Sequence, residues 1–180
     1  KVPVRLLTDT DVYVGGEKLA HHDGGYSTWR VNITEKLAEE TDIAVIVDNS
    51  ANETVYPQMA DFTFYGGIYR DVNLVCVKES HFDLDYYGGP GIRMTPEIAG
   101  KDAKVEVEVY VTNKKDGQNL AYALKDAEGN VVAETISNDI KVVLDIQDVH
   151  LWHGRKDPYL YTAEVKLVEG EEVLDNVATR

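Results

Sequence analysis

Between Asp61 and Val72 the chain reads D-F-T-F-Y-G-G-I-Y-R-D-V, which sets a carboxylate among four aromatic rings, two glycines and an Arg-Asp pair. Aromatic rings stack on the apolar faces of a pyranose, and a carboxylate accepts hydrogen bonds from its hydroxyls. Asp61 and Tyr65 are therefore the candidate sugar contacts. Read from the residues alone, an alternative stays open: an aromatic corner packed into a β-sandwich core, with Asp61 solvated at its lip.

Other constellations carry less. His21-His22-Asp23 has metal-ligating residue types, but neighbours on an extended chain point to opposite faces, so the two imidazoles cannot easily share an ion. His150 and His153 flank Leu151-Trp152 at a spacing that suits a metal only on a helix. The local period is that of a strand, which predicts Trp152 as a plug at the end of a sandwich. No G-x-S-x-G nucleophile turn and no phosphate-cradling glycine loop occurs. Thirty-two acids make chance carboxylate pairs unavoidable, and no pair is singled out for glycoside hydrolysis. By itself the chain reads as non-catalytic, with no metal and no cofactor.

The elements that must position these residues are strands. Residues 2–7 and 11–14 are short β-type runs, and Gly15-Gly16 predicts a tight hairpin. Trp29, Val31 and Ile33 alternate with polar residues, after which Thr34 is placed to cap one helical turn. Residues 43–47 are apolar throughout, which predicts a strand covered on both faces. The long segment 51–60 then delivers the chain to Asp61, and Ile68–Val77 reads as the strand closing the first unit, with Cys76 buried in it. Lys78-Glu79-Ser80 is a polar junction, giving predicted domains 1–79 and 80–180. Beyond it, alternation at Phe82–Tyr86, Val105–Val111, Leu120–Leu124, Ile140–Leu144 and Tyr159–Leu167, punctuated by glycine turns, predicts an immunoglobulin-like sandwich.

The 180 residues carry a net charge of −14, shared between the halves: 7 basic and 13 acidic residues in 1–80, 11 and 19 in 81–180. Neither half has the basic stripe needed for nucleic acid or an anionic membrane. No apolar run approaches the roughly 20 residues of a membrane-spanning helix. Lys1 reads as a cut inside a longer protein.

These motifs resemble glycoside hydrolase family 2, the β-galactosidase, β-glucuronidase and β-mannosidase group. Asp11–Gly16 followed by His22-Asp23-Gly24-Gly25-Tyr26 looks like the family's vYvNG…G…GGy strand pair, with Gly15 where Asn is usual. Residues 61–72 look like the segment closing its sugar-binding jelly roll. Leu151-Trp152 with Asp157-Pro158-Tyr159-Leu160-Tyr161 looks like the signature of its immunoglobulin-like domain, with His153 in place of a proline.

The resemblance implies an all-β region: an incomplete jelly-roll sandwich (1–79) followed by an immunoglobulin-like sandwich (80–180). It implies that the (β/α)₈ barrel bearing the family's two catalytic glutamates follows Arg180, so this region is inactive alone. It carries a sugar-holding role to Asp61, with Tyr65 beside it, and leaves Arg70 and Asp71 as a structural ion pair at a strand start. The wording G-G-I-Y-R-D-V leans toward β-galactosidases. Expected partners are a β-galactoside-type carbohydrate, the barrel of the same parent and a second copy, since an incomplete sheet leaves unpaired edges. Competing readings are a free-standing carbohydrate-binding module centred on Trp29, Tyr65 and Tyr69, and an adhesive sandwich without a sugar site.

Overall fold

A computed structural model describes residues 2–4, 9–25, 27–50, 53–54, 61, 66–68 and 70–180. The backbone divides into two compact units, Lys1–Cys76 and Val77–Arg180. The architecture is all-β. The only helical turn among the described residues is a 3₁₀ turn at Thr34–Lys36.

The first unit, an incomplete jelly roll, holds β1 (Val2–Val4), β2 (Asp9–Val14), β3 (Glu17–Asp23), β4 (Trp29–Val31) and β5 (Ile43–Asp48). β2 sits between β3 and β5 in one antiparallel sheet, while β1 pairs with β4. Gly15 and Gly16 take φ of 58° and 83°, and Val14 faces Glu17 across them. Two consecutive left-handed residues suit the twist of flanking strands, and glycine adopts them without a Cβ clash. Along β2 the pattern alternates strictly, with Thr10, Val12 and Val14 buried. With Val31 and Ile33 these valines form a small core.

Four expectations fail in this unit. No strand forms over 71–78, and Ile68, Val72, Leu74 and Val77 are exposed. A β-prone segment becomes a strand only when another backbone pairs with it, and none of the described strands does so. Cys76, expected in that strand's interior, is exposed for the same reason. β5 is not covered on both faces, since Ile46 is 55% exposed. Thr34 does not cap its own turn: its backbone N–H and hydroxyl both donate to Asn32 Oδ1, at 3.1 and 2.7 Å.

The second unit is an immunoglobulin-like sandwich. β10 (Gln118–Lys125) and β13 (Thr162–Glu169) lie inside a four-stranded sheet, flanked by β11 (Val131–Ser137) and β14 (Glu172–Thr179). The facing sheet has β8 (Asp102–Val109) between β7 (Ile92–Ala99) and β12 (Lys141–Ile146), and β6 (His81–Phe82) pairs with β9 (Val111–Thr112). Leu120, Tyr122, Leu124, Val165 and Leu167 meet Val105, Val107, Val109, Leu144 and Ile146 in one core. Burying each large aliphatic side chain contributes about 1.5–3 kcal/mol. The Tyr122 hydroxyl donates to the Asp139 carbonyl at 2.6 Å, and burial holds its pKa above the usual phenol range.

The alternation at 82–86 ends earlier than predicted, with the strand stopping at Phe82. There the Phe82 N–H donates to Asp175 Oδ2 at 2.8 Å, and Gly91 comes under the Asp83 backbone. Trp152 is no plug; it is 63% exposed. Its loop is held instead by the His150–Asp157 pair at 2.6 Å, the His150–Tyr159 ring stack and the His153–Asp157 bridge.

Candidate functional site

Asp61 is exposed. Tyr65 and Tyr69 lie outside the described residues, as does most of the aromatic run around Asp61. What the structure gives is how the chain carrying Asp61 is held at its base. β5 ends at Asp48, whose Oδ1 accepts from the Ser50 N–H at 2.8 Å. That bond, with the one from the Ser50 side chain, lowers the Asp48 pKa. Asn49 then lies against Gly66: a Cβ built on Gly66 would stand 2.9 Å from Asn49 Cγ. The first and last residues of the span 49–66 therefore touch. The Thr54 hydroxyl donates to Asp23 Oδ1 at 3.0 Å, at the end of β3.

Arg70 and Asp71 are both exposed and start no strand.

The two adjacent histidines face opposite sides of β3. His21 Nδ1 stands 2.8 Å from Asp11 Oδ1 and 3.2 Å from Asp9 Oδ1, and its Nε2 is 3.6 Å from Asp23. Lys18 Nζ adds a 2.6 Å contact to Asp11. Ligand atoms of Asp9, Asp11 and His21 fall within 4.8 Å of one another, but the Lys18 ammonium already supplies the cation these acids attract. The bond to Asp11 raises the His21 pKa, and the bonds from Lys18 and His21 lower that of Asp11. His22, on the other face, stacks on Trp29 with ring centroids 4.8 Å apart, and burial lowers its pKa. The His22 Nε2, Trp29 Nε1 and Thr10 Oγ1 atoms are buried without partners among the described residues.

Two apolar depressions stand apart from these charges. In the first unit, Val12, Val31, Ile33, Val45, Val72 and Leu74 help line one of about 310 Å³. In the second, Pro96, Ile98, Leu151, Trp152 and Leu160 help line one of about 220 Å³. Sequence reasoning missed this second surface because it took the tryptophan as interior. The sequence offered only a weak signal, the apolar residues Leu151 and Leu160 near the two ends of the His150–Asp157 loop.

The model of the family described as glycosyl hydrolases family 2 matches residues 90–180. The chain is similar to the structure of an FMN-binding β-glucuronidase from Facaelibacterium prausnitzii L2-6, with a TM-score of 0.92 and 37% identity over 98% of this chain and 28% of that one. It is similar to a putative β-galactosidase from Bacteroides fragilis, with a TM-score of 0.87 and 28% identity, over 99% of this chain and 29% of that one. A curated β-glucuronidase of Bacteroides fragilis is 29% identical over 180 residues, 93% of this chain and 26% of that protein. The chain thus spans about a quarter of the length of the proteins it matches.

Proposed function

The chain belongs to glycosyl hydrolases family 2, and from that premise we propose that it is the sugar-contacting, barrel-positioning region of a larger retaining glycosidase. One observation carries this reading. Nearly the whole chain aligns with 28% of a β-glucuronidase structure, leaving most of such an enzyme for other domains. A catalytic barrel takes about 250 residues and does not fit within this chain. Chemistry then belongs to two glutamates on that barrel, one as nucleophile and one as acid and base. Asp61, with Tyr65 beside it, holds sugar hydroxyls from outside the barrel. Binding energy from such remote groups lowers the barrier as well as KM.

The sugar has two supported readings. The wording of residues 66–72 favours a β-galactoside, and the similar β-glucuronidases favour a β-glucuronide. The test is paired hydrolysis of p-nitrophenyl β-galactoside and β-glucuronide by the full-length enzyme and by residues 1–180 alone. The full-length protein is expected to cleave one of them and the isolated chain neither. Asp61→Ala removes hydrogen bonds to a charged acceptor, each about 1.5–3 kcal/mol, so kcat/KM falls about ten- to a hundredfold. Wild-type kinetics in that variant would refute the role of Asp61.

A further inference from the structure

We propose that Tyr87, carried on the loop 83–91 of the second unit, is a stacking platform for a sugar ring of a neutral hexopyranose chain. The inference rests on the carbohydrate chemistry of the family and makes no use of Asp61. Tyr87 is 95% exposed, more than any other large apolar side chain among the described residues. Its backbone is as unusual as its exposure. Tyr87 and Gly88 take φ of 44° and 71°, and the Gly89 N–H donates to the Tyr86 carbonyl at 2.6 Å, closing a tight turn. A turn with two left-handed central residues favours Asn, Asp or Gly at the first of them. The other non-glycine residues with positive φ among those described are Asn113 and Asp148, types that tolerate it. A bulky tyrosine there is an outlier, and with its ring in water it gains the fold nothing. Strain of this kind points to a use for the side chain.

The ring is braced from below. Both ends of the loop close on one residue: the Asp83 N–H donates to the Tyr110 carbonyl at 2.8 Å, and the Tyr110 N–H donates to the Gly91 carbonyl at 2.9 Å. The Tyr110 ring stacks on Tyr86 with centroids 4.3 Å apart, and Tyr86 meets Tyr87 edge-on at 5.2 Å. A ring fixed in this way loses little freedom when a ligand lands on it. Arg93 pairs with Glu108, and Glu108, Tyr110 and Tyr86 all raise its pKa, which sets a guanidinium and two phenol hydroxyls together at the foot of the stack.

The surroundings select the ligand class. No other large hydrophobic side chain of residues 83–93 is exposed, so Tyr87 lacks the apolar neighbours that the core of a protein interface has. A lone braced ring beside hydrogen-bonding groups suits a pyranose instead, with its C–H face on the ring and its hydroxyls at the rim. The net charge of −14 opposes a polyanionic chain and favours a neutral one.

The test is the mobility of the full-length enzyme in native gels containing β-1,4-galactan, mixed-linkage β-glucan or polygalacturonate. At least one neutral polymer is expected to retard the wild type, and polygalacturonate is not. Tyr87→Asn suits the turn better than tyrosine, so its urea midpoint should equal or exceed that of the wild type. Its dissociation constant for the retarding polymer should rise about two- to tenfold, the size of an aromatic stacking contact. Tyr87→Phe keeps the ring and should stay within about twofold of the wild type. No retardation by either neutral polymer, equal retardation of wild type and Tyr87→Asn, or retardation by polygalacturonate alone would overturn the proposal. A loss in Tyr87→Phe as large as in Tyr87→Asn would assign the contact to the hydroxyl and overturn stacking. A lowered midpoint in Tyr87→Asn would assign the ring to packing against another part of the enzyme, and the platform would fall with it.

Discussion

At Asp11 and His21 the sign of the pH dependence follows from the two shifts. The imidazole binds its proton more tightly when folded, through its bond to Asp11. Its contribution is complete below the unfolded histidine value of about 6.5 and is lost as pH rises through the higher folded value. The Asp11 carboxyl is shifted down, so its contribution is present above about pH 3.9 and lost as pH falls through the lower folded value. The cluster therefore holds the β2–β3 hairpin most firmly between about pH 4 and 6.5. At higher pH, Asp9, Asp11 and Asp23 face a neutral ring, and Lys18 is the described cation that remains beside Asp11. Denaturation midpoints measured across this range should decline for the wild type above neutrality and stay level for His21→Gln. A parallel decline in both would assign the effect elsewhere. The sequence drew attention to this histidine pair and the opposite facing of its members, but not to Asp9 or Asp11. Those two come from the neighbouring strand, and only the cross-strand register brings them beside His21.

Among the elements, β10 and β7 show what could be read in advance. Leu120, Tyr122 and Leu124 alternate cleanly, and all three are buried as β10 runs between two partners. β7 alternates Ile92, Met94 and Ile98 with polar residues, but Pro96 in its middle argues against a strand, and Thr95 to Ala99 are exposed. It is a strand because it lies at a sheet edge, where a proline costs no ladder bond. Segment 71–78 is the converse case, with strand-like residues that join none of the described strands. Asp61 is a candidate from residue type and motif alone, whereas the approach of Asn49 to Gly66 has no sequence signal, since it crosses a long span. Two substitutions weigh these elements. Leu120→Ala empties a fully buried site in β10 and should cost about 2–5 kcal/mol. Gly91→Ala should cost at least as much as a left-handed L-residue, about 1–2 kcal/mol. Its φ is 72°, and its Cβ would meet the Asp83 carbonyl oxygen at 2.6 Å, a backbone atom that cannot rotate away. Urea unfolding measures both, and a wild-type midpoint for Gly91→Ala would contradict the described turn.

For the molecule as a whole, charge and apolar exposure oppose one another. A net charge of −14 opposes the approach of a second copy. Yet Trp152, Leu151 and Leu160 stand 63, 52 and 45% exposed around one depression in the second unit. An exposed apolar cluster of this kind suits contact with another protein surface. Since the chain spans only 28% of a similar β-glucuronidase chain, the occupant we favour is the catalytic barrel of the same parent. A 5-fluorotryptophan label distinguishes this from a surface left in water. In residues 1–180 the Trp152 fluorine resonance, assigned by its loss in Trp152→Phe, should shift between H₂O and D₂O as a solvated indole does. Within the full-length enzyme that solvent shift should largely vanish. Retention of the full shift there would leave the cluster uncovered and remove it from the barrel interface. Concentration-dependent loss of the shift in the isolated chain would point to a second copy instead. Trp152→Ala gives the energetic counterpart. Its side chain adds little to the fold of this unit, so the unfolding midpoint of the isolated chain should hardly move, while the full-length enzyme should lose stability.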